Sequence, residues 1–352
     1  MPTVINSNWH DHSVITTARS VRDDTELRPP RRITSLEVLC AILVAAVALQ
    51  GPLTSVLDLP ALRTGATVFV AVCVQALPFL VFGVLVSGLI AAFVSPAALR
   101  RMLPGNSTAA IPVAGVAGVA MPGCECASVP VARRLMQQGV APAVALAFLL
   151  AAPAVNPVVL ASTAVAFPGE PLMVLARFLG SLLTACAMGW LWVRVGKAEW
   201  IAERALRRFE GCRPAGSRWA VFAESTRHDL VEAGGFLVLG GLTSAVFNVL
   251  IPAEWMQTLG GQFLLAVLIM AVLAVVLALC SEADAFVAAS MSGLPLIPKL
   301  VFLVVGPAVD LKLIAMQSGA FGRAFALRFA PATFVVAIAS SILVGAIVIG
   351  GS

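Results

Sequence analysis

The sequence predicts an all-α integral membrane protein, a transporter-like bundle of about seven spanning helices plus two re-entrant hairpins, laid out as an inverted repeat. Three observations predict it. Of the 352 residues, 60% are hydrophobic and only 12% charged, with a mean hydropathy of +0.97, whereas a soluble globular domain carries roughly 25% charged residues. The apolar runs are long, rich in Leu, Val, Ala and Gly, and lack the polar/apolar alternation of a lipid-spanning β-strand. Each must therefore satisfy its backbone internally, as a helix. Finally, segments of the first half recur in the second half in the same order.

Residues 1–35 carry five arginines, His10, His12 and Pro29-Pro30 ahead of any apolar run. A cleavable signal peptide would start with only a short charged region, so these residues are expected to form a disordered cytoplasmic tail. Hydropathy, punctuated by Pro, Gly and charge, then places spans near 36–57, 64–94, 140–166, 172–195, 230–251, 298–320 and 329–350. Two apolar stretches remain, 109–138 and 261–293. Each starts apolar, breaks at a Cys-and-acid cluster and continues with small residues. The expected organisation is one membrane domain, 36–350, with repeat 1 at about 64–195, a basic cytoplasmic loop at 196–229 and repeat 2 at about 230–350.

Basic residues flank the apolar runs: Arg100 and Arg101, Arg133 and Arg134, the block from Arg194 through Arg227, and Arg323 with Arg328. The positive-inside rule assigns all of them to the cytoplasm. With the N-terminus inside, the count closes only if 109–138 enters and leaves from the cytoplasm and 261–293 enters and leaves from outside. The same distribution accounts for the formal net charge of +5 without invoking nucleic acid. The expected location is a bacterial plasma membrane, crossed several times.

The halves match piece by piece. Phe79-Leu80-Val81-x-Gly83-x-Leu85-x-Ser87 recurs as Phe236-Leu237-Val238-x-Gly240-x-Leu242-x-Ser244, 157 residues on. Cys124 with Val131-Ala132 recurs as Cys280 with Val287-Ala288 at an offset of 156, and Pro153-Ala154-Val155-Asn156 as Pro307-Ala308-Val309-Asp310 at 154. The charge count puts the halves in opposite orientations. In such inverted repeats, binding sites lie near the midplane, where broken helices from both halves meet.

The breaks concentrate the chemistry. Pro122-Gly123-Cys124-Glu125-Cys126-Ala127-Ser128-Val129-Pro130 sets two thiols and a carboxyl within three residues, among prolines and a glycine that interrupt a helix. Its counterpart, Cys280-Ser281-Glu282-Ala283-Asp284, has one thiol and two carboxyls. Ionisable groups at membrane depth cost about 2.5–3.5 kcal/mol each on insertion scales, which marks Glu125, Glu282, Asp284, Asp310 and Lys312 as functional candidates for ion or proton coupling. Pro153 and Pro157 free backbone carbonyls around Asn156, and Gly306-Pro307 does the same before Asp310. Pro307 would also distort the turn enough for Asp310 to pair with Lys312.

Soft thiols favour soft ions or trivalent arsenic species, so Cys124, Cys126 and Cys280, with the Asn156 amide, are the candidate solute-binding groups. Cys124 and Cys126 are too close together for an ordinary disulfide and read as free thiols. The alternative is that the cysteines only fill space and the acids line a hairpin neck. All three histidines, His10, His12 and His228, fall in polar segments, and no phosphate-binding loop of the Gly-x-x-x-x-Gly-Lys-Ser/Thr type occurs. Neither a resident metal, a cofactor nor an enzymatic reaction is expected.

These motifs resemble the predicted permeases of the ArsP and YraQ type. The resemblance rests on Gly123-Cys124-Glu125-Cys126 with Val129-Pro130, on Gly139 through Asn156-Pro157, and on Cys280 through Ala288, and it covers roughly 64–350. It implies a multi-span plasma-membrane permease with a functional Cys motif, a founding activity of trivalent organoarsenical efflux, and in some members a role as one subunit of a two-component permease. Glu125 stands where many members have Ser between the cysteines, so the substrate does not follow from the motif.

The function expected is gradient-driven efflux of a small thiol-reactive solute such as a trivalent organoarsenical. The alternatives are a subunit of a two-component permease, a thiol redox or cargo-transfer membrane protein, and a scaffold without transport. Expected partners are the solute, membrane lipid, and a partner subunit or a second copy. The basic loop from Gly196 to Arg227 is either a charged linker or a surface for anionic lipid or a partner.

Overall fold

The computed structural model describes residues 60–94, 104–121, 124–202, 205, 217–250, 263–291 and 293–350. The expected tail 1–35 and first span 36–57 lie outside the described residues, as do Arg100, Arg101, Pro122 and Gly123. The described residues fall in one compact unit, and all of their regular structure is helical.

Repeat 1 consists of α1 (Pro60–Phe93), α2 (Ser107–Ala117, extended by a 3-10 turn at Gly118–Ala120), α3 (Glu125–Gln137), α4 (Pro142–Val155), α5 (Pro157–Ala166) and α6 (Pro171–Val195). Repeat 2 follows the same plan: α7 (Arg218–Leu250), α8 (Phe263–Leu277), α9 (Ser281–Ser290), α10 (Leu296–Ala308), α11 (Leu311–Phe321) and α12 (Arg323–Val348). Each helix has its counterpart six later. Each segment expected to form a hairpin is broken into two helices, α2 followed by α3 and α8 followed by α9. Among the described residues, α1, α4 with α5, α6, α10 with α11, and α12 are long and apolar enough to cross a membrane; of the span expected near 230–251, residues 230–250 are helical within α7.

The halves are inverted relative to one another. Phe93 stacks edge-on with Trp219 at 5.3 Å, Ser87 bonds Asp229 at 2.7 Å, and Gly241 lies against Phe69 and Val72. Residues late in α1 thus meet residues early in α7, so these equivalent helices run antiparallel. Trp192, near the end of α6, likewise packs on Phe325 and Phe329, near the start of α12.

The sequence dictates the breaks. Asn156 precedes Pro157, whose ring disfavours helical backbone at the preceding residue, and Asn156 is extended at φ −71°, ψ 155°. Its side chain instead caps α5, accepting from the Val159 N–H at 3.0 Å. In repeat 2, Val309 and Asp310 are extended, and Asp310 caps α11 through the Leu313 N–H. Gly322, at φ +102° between α11 and α12, takes a backbone conformation that L side chains rarely adopt.

Glycines also set how closely helices approach. A Cβ on Gly83 would collide with the Ala127 backbone of α3, and one on Gly240 would come within 2.7 Å of the Lys312 Cα of α11. Small residues play this role in membrane interiors, where packing rather than water exclusion holds helices together. At the centre lie α4 and α10, buried from Ala143 to Val155 and from Pro298 to Ala308. Helices apolar all round belong in such a core. Large apolar side chains such as Val74, Leu264, Leu327 and Ile347 are exposed on the outside, a surface suited to lipid.

Not every pairing follows the symmetry. The α3–α11 contact is matched by α9–α5, α2–α4 by α8–α10, and α4–α6 by α10–α12. By contrast, α1 packs along α3, and α7 along α11. Among the described residues, no comparable α7–α9 or α1–α5 packing balances them.

Candidate functional site

Helices α3, α9 and α11 all begin at one buried centre. Cys124 and Cys280 occupy the positions just before α3 and α9, both with extended backbone and no side-chain cap bond, and the Asp310 side chain caps α11. The Cys124 thiol has both Cys126 and Cys280 as neighbours. All three are free and buried. The ligand atoms of Cys124, Glu125 and Cys126 lie within 4.8 Å of one another, close enough for one soft atom to bridge them. The structure thus brings together the three thiols expected from the sequence, two from one repeat and one from the other.

The charged groups interlock around them. Lys312, fully buried, pairs with Glu125 across the repeats. Asp310 is farther from the ammonium, at 4.0 Å. The expected local Asp310–Lys312 pair is therefore the looser contact, because the chain breaks at Val309 and Asp310 and α11 restarts with Lys312 aimed at α3. The Lys312 ammonium also donates to the Ala278 carbonyl at 3.5 Å. Ala278 has φ +47°, a conformation that costs a non-glycine residue about 1–2 kcal/mol. It turns the chain between α8 and Cys280 and presents that carbonyl to the ammonium.

Ser281 donates to the second Glu125 oxygen at 3.2 Å, so the Glu125 carboxylate bridges both halves. Glu282 is partly buried and Asp284 almost fully buried. Asn156 also has a structural part: its amide donates to the Ala152 carbonyl at 3.1 Å and its oxygen caps α5. These bonds hold the break in the span.

Arg177 completes the site. It is fully buried on α6, donating to Thr163 Oγ1 at 2.7 Å and to the Ser281 carbonyl at 2.8 Å, with Asp284 and Glu282 as its charged neighbours. The signal was available in the sequence, since Arg177 is a charge inside an apolar run, the criterion that selected Lys312. Four carboxyls (Glu125, Glu282, Asp284 and Asp310) therefore share the centre with two cations and three helix N-termini. Each N-terminus is equivalent to roughly half a positive charge, which adds to the two cations facing these carboxyls.

A second polar cluster ties α1, α3 and α7 together. Arg134 donates to Asp229 at 2.9 Å, Ser87 donates to Asp229 at 2.7 Å, and Arg133 pairs with Glu232. His228 Nδ1 lies 3.7 Å from Asp229 and 3.8 Å from Glu232. The sequence marked these arginines only as topology signals. The start of the basic loop is docked rather than free: Trp200 packs on Trp192 and under the Arg328 guanidinium, and the Ala202 N–H bonds the Phe321 carbonyl at 2.7 Å.

Comparison with known proteins agrees with this architecture. Residues 61–348 match the ArsP_1 family model, described as predicted permease. A Streptococcus mutans protein, provisionally named a two-component membrane permease complex subunit, is 31% identical over 282 residues, covering 79% of this chain and 94% of that protein. The UPF0718 protein YcgR of Bacillus subtilis is 32% identical over 285 residues, covering 79% of this chain and 96% of its own length. No solved structure matches the chain. With a buried charged centre at the crossing of broken helices, and a family match along nearly the whole described chain, this multi-pass membrane protein belongs to the ArsP-type predicted permease family.

Proposed function

We propose that the protein is a gradient-driven permease exporting a small thiol-reactive solute, typified by a trivalent organoarsenical, across the bacterial plasma membrane. The observation carrying this reading is the convergence of Cys124, Cys126 and Cys280 at a buried break where both repeats meet. A methylarsonous acid, CH3As(OH)2, would exchange its two hydroxyls for two thiols, forming two As–S bonds and releasing two waters. The third thiol offers an exchange partner, so the arsenic can leave stepwise. Soft sulfur ligands select such a centre over hard ions.

Access follows from the packing asymmetry. With α1 on α3 and α7 on α11, the polar cluster of Arg133, Arg134, Asp229 and Glu232 closes the half that the charge distribution assigns to the cytoplasm. The inverted repeat gives the other state by exchanging roles: Gly240 moves against Ala283 of α9, the counterpart of Ala127, and Gly83 moves against α5. An apolar cleft of about 390 Å3, bounded by Phe82, Ile90 and Phe148 and reaching Met121, opens beside the α2/α3 break and suits a solute with an organic substituent.

Thiol protection tests the binding step. In membranes, methylarsenite should shield Cys124, Cys126 and Cys280 together from a small maleimide while leaving Cys73 and Cys186 labelled at their usual rate. Unchanged labelling of all five would refute thiol capture.

A second reading, a subunit of a two-component permease, is favoured by the name of the Streptococcus mutans relative. Transport in cells but none by the purified chain in liposomes would favour it.

A further inference from the structure

We infer that Asp284, opposed by Arg177, is the proton-carrying site that couples transport to a proton gradient, an inference that rests on the permease reading above. The need for such a site comes from the chemistry at the thiols. Exchange of two As–OH bonds for two As–S bonds consumes two S–H protons and releases two waters, so loading and unloading a neutral arsonous acid moves no net proton. A gradient can act only through another group.

Asp284 has the required geometry. It sits in the first turn of α9, only 2% exposed, and its Oδ2 has no hydrogen-bond partner among the described residues. Gly306 of α10 leaves room for this oxygen and little more, since a Cβ there would stand 2.8 Å from Oδ2. The charged groups facing Asp284 are Arg177 of α6, Glu125 of α3, and Asp310 and Lys312 of α11. Lys312 is engaged by Glu125, so Arg177 is the cation left to answer Asp284. Both terminal nitrogens of Arg177 are held by neutral acceptors, and its Nε has no hydrogen-bond partner among the described residues. The guanidinium is thus fixed as an electrostatic neighbour of Asp284 without bonding it directly, which leaves the carboxyl free to gain or lose a proton.

The fold itself does not require this acid. At the 156-residue offset its counterpart in repeat 1 is Ser128, a neutral side chain that donates to the Glu125 carbonyl at 3.0 Å. One repeat builds the same turn with a satisfied hydroxyl, and the other carries an unpartnered carboxyl. The cycle balances simply: the Asp284 carboxyl gives up its proton on one side, Arg177 neutralises the carboxylate, and a proton from the other side restores the acid.

Two measurements on the full chain test this. Dicyclohexylcarbodiimide adds to protonated carboxyls in apolar surroundings, and mass spectrometry should find its adduct on the Asp284 peptide at low pH, decreasing as pH rises. In Arg177→Gln the adduct should persist to higher pH. In proteoliposomes, Asp284→Asn should lose proton-driven methylarsenite accumulation while retaining methylarsenite counterflow, the exchange that needs no gradient. An unlabelled Asp284 peptide, or gradient-driven accumulation in Asp284→Asn, overturns the inference. Labelling that follows this pattern in a wild type that never moves methylarsenite supports the proton site and discards the arsenical reading instead.

Discussion

Ser281 and Glu125, bonded at 3.2 Å, are separated by 156 residues, the same offset that relates Cys124 to Cys280. They are the same position in the two repeats. Positions related by a two-fold axis touch only near that axis, so the axis passes between the α3 and α9 N-termini. The thiols, the Glu125–Lys312 pair and Arg177 are gathered where the halves exchange roles.

The Glu125–Lys312 pair should behave as a coupled unit. Removing one partner of a buried ion pair strands the other charge, typically at about 3–5 kcal/mol. Lys312→Met alone should lower the unfolding temperature in detergent more than Glu125→Gln combined with Lys312→Met. A double variant as unstable as the single would show that the pairing is not what holds these residues.

Ala278→Gly should stabilise the protein. The native φ of +47° strains alanine but not glycine, and relief of about 1 kcal/mol is expected, less what glycine adds to the entropy of the unfolded chain. A lowered midpoint in thermal unfolding would mean that the turn is held by something other than backbone conformation.

Gly83→Ala should cost about 1–3 kcal/mol, because the new methyl meets the α3 backbone, which cannot yield as a flexible side chain would. Gly235→Ala, with nothing within 4 Å of its new Cβ, is the control and should be close to neutral. Paired labels on α1 and α3 should also read a longer mean distance in Gly83→Ala, as α1 leaves α3.

Asn156→Ala should lose the α5 cap, worth about 0.5–2 kcal/mol, whereas Asn156→Asp keeps an acceptor and copies Asp310. Thermal unfolding of both variants separates the cap from the amide: equal losses would assign the role to the Asn156 amide donor instead.

Much of this architecture is legible in the sequence because membranes impose simple rules. Spans follow from length and hydropathy, and the breaks follow from Pro157, Pro307 and the Cys-and-acid clusters. What the sequence hides is pairing between distant residues. Lys312 lies two positions from Asp310 and 187 from Glu125, yet Glu125 is its closer partner. Arg177 is hard to single out in the sequence because a lone charge in a clean apolar run lacks the local cluster that marks the breaks. Arg134 looked like a topology marker, and only the antiparallel α1/α7 pair reveals Asp229 and Ser87 beside it. The packing of α1 and α7 on one half alone could not be read at all, because a repeat in sequence carries no information about which of two equivalent contacts is made.

Thiol-centred transport is tested by methylarsenite uptake into everted membrane vesicles with and without a proton gradient, comparing the wild type with Cys124→Ser/Cys126→Ser. Gradient-dependent uptake by the wild type and none by the double variant is the expected result at equal expression. Equal uptake by both would contradict it, leaving the fold intact and removing the thiols from the transport path.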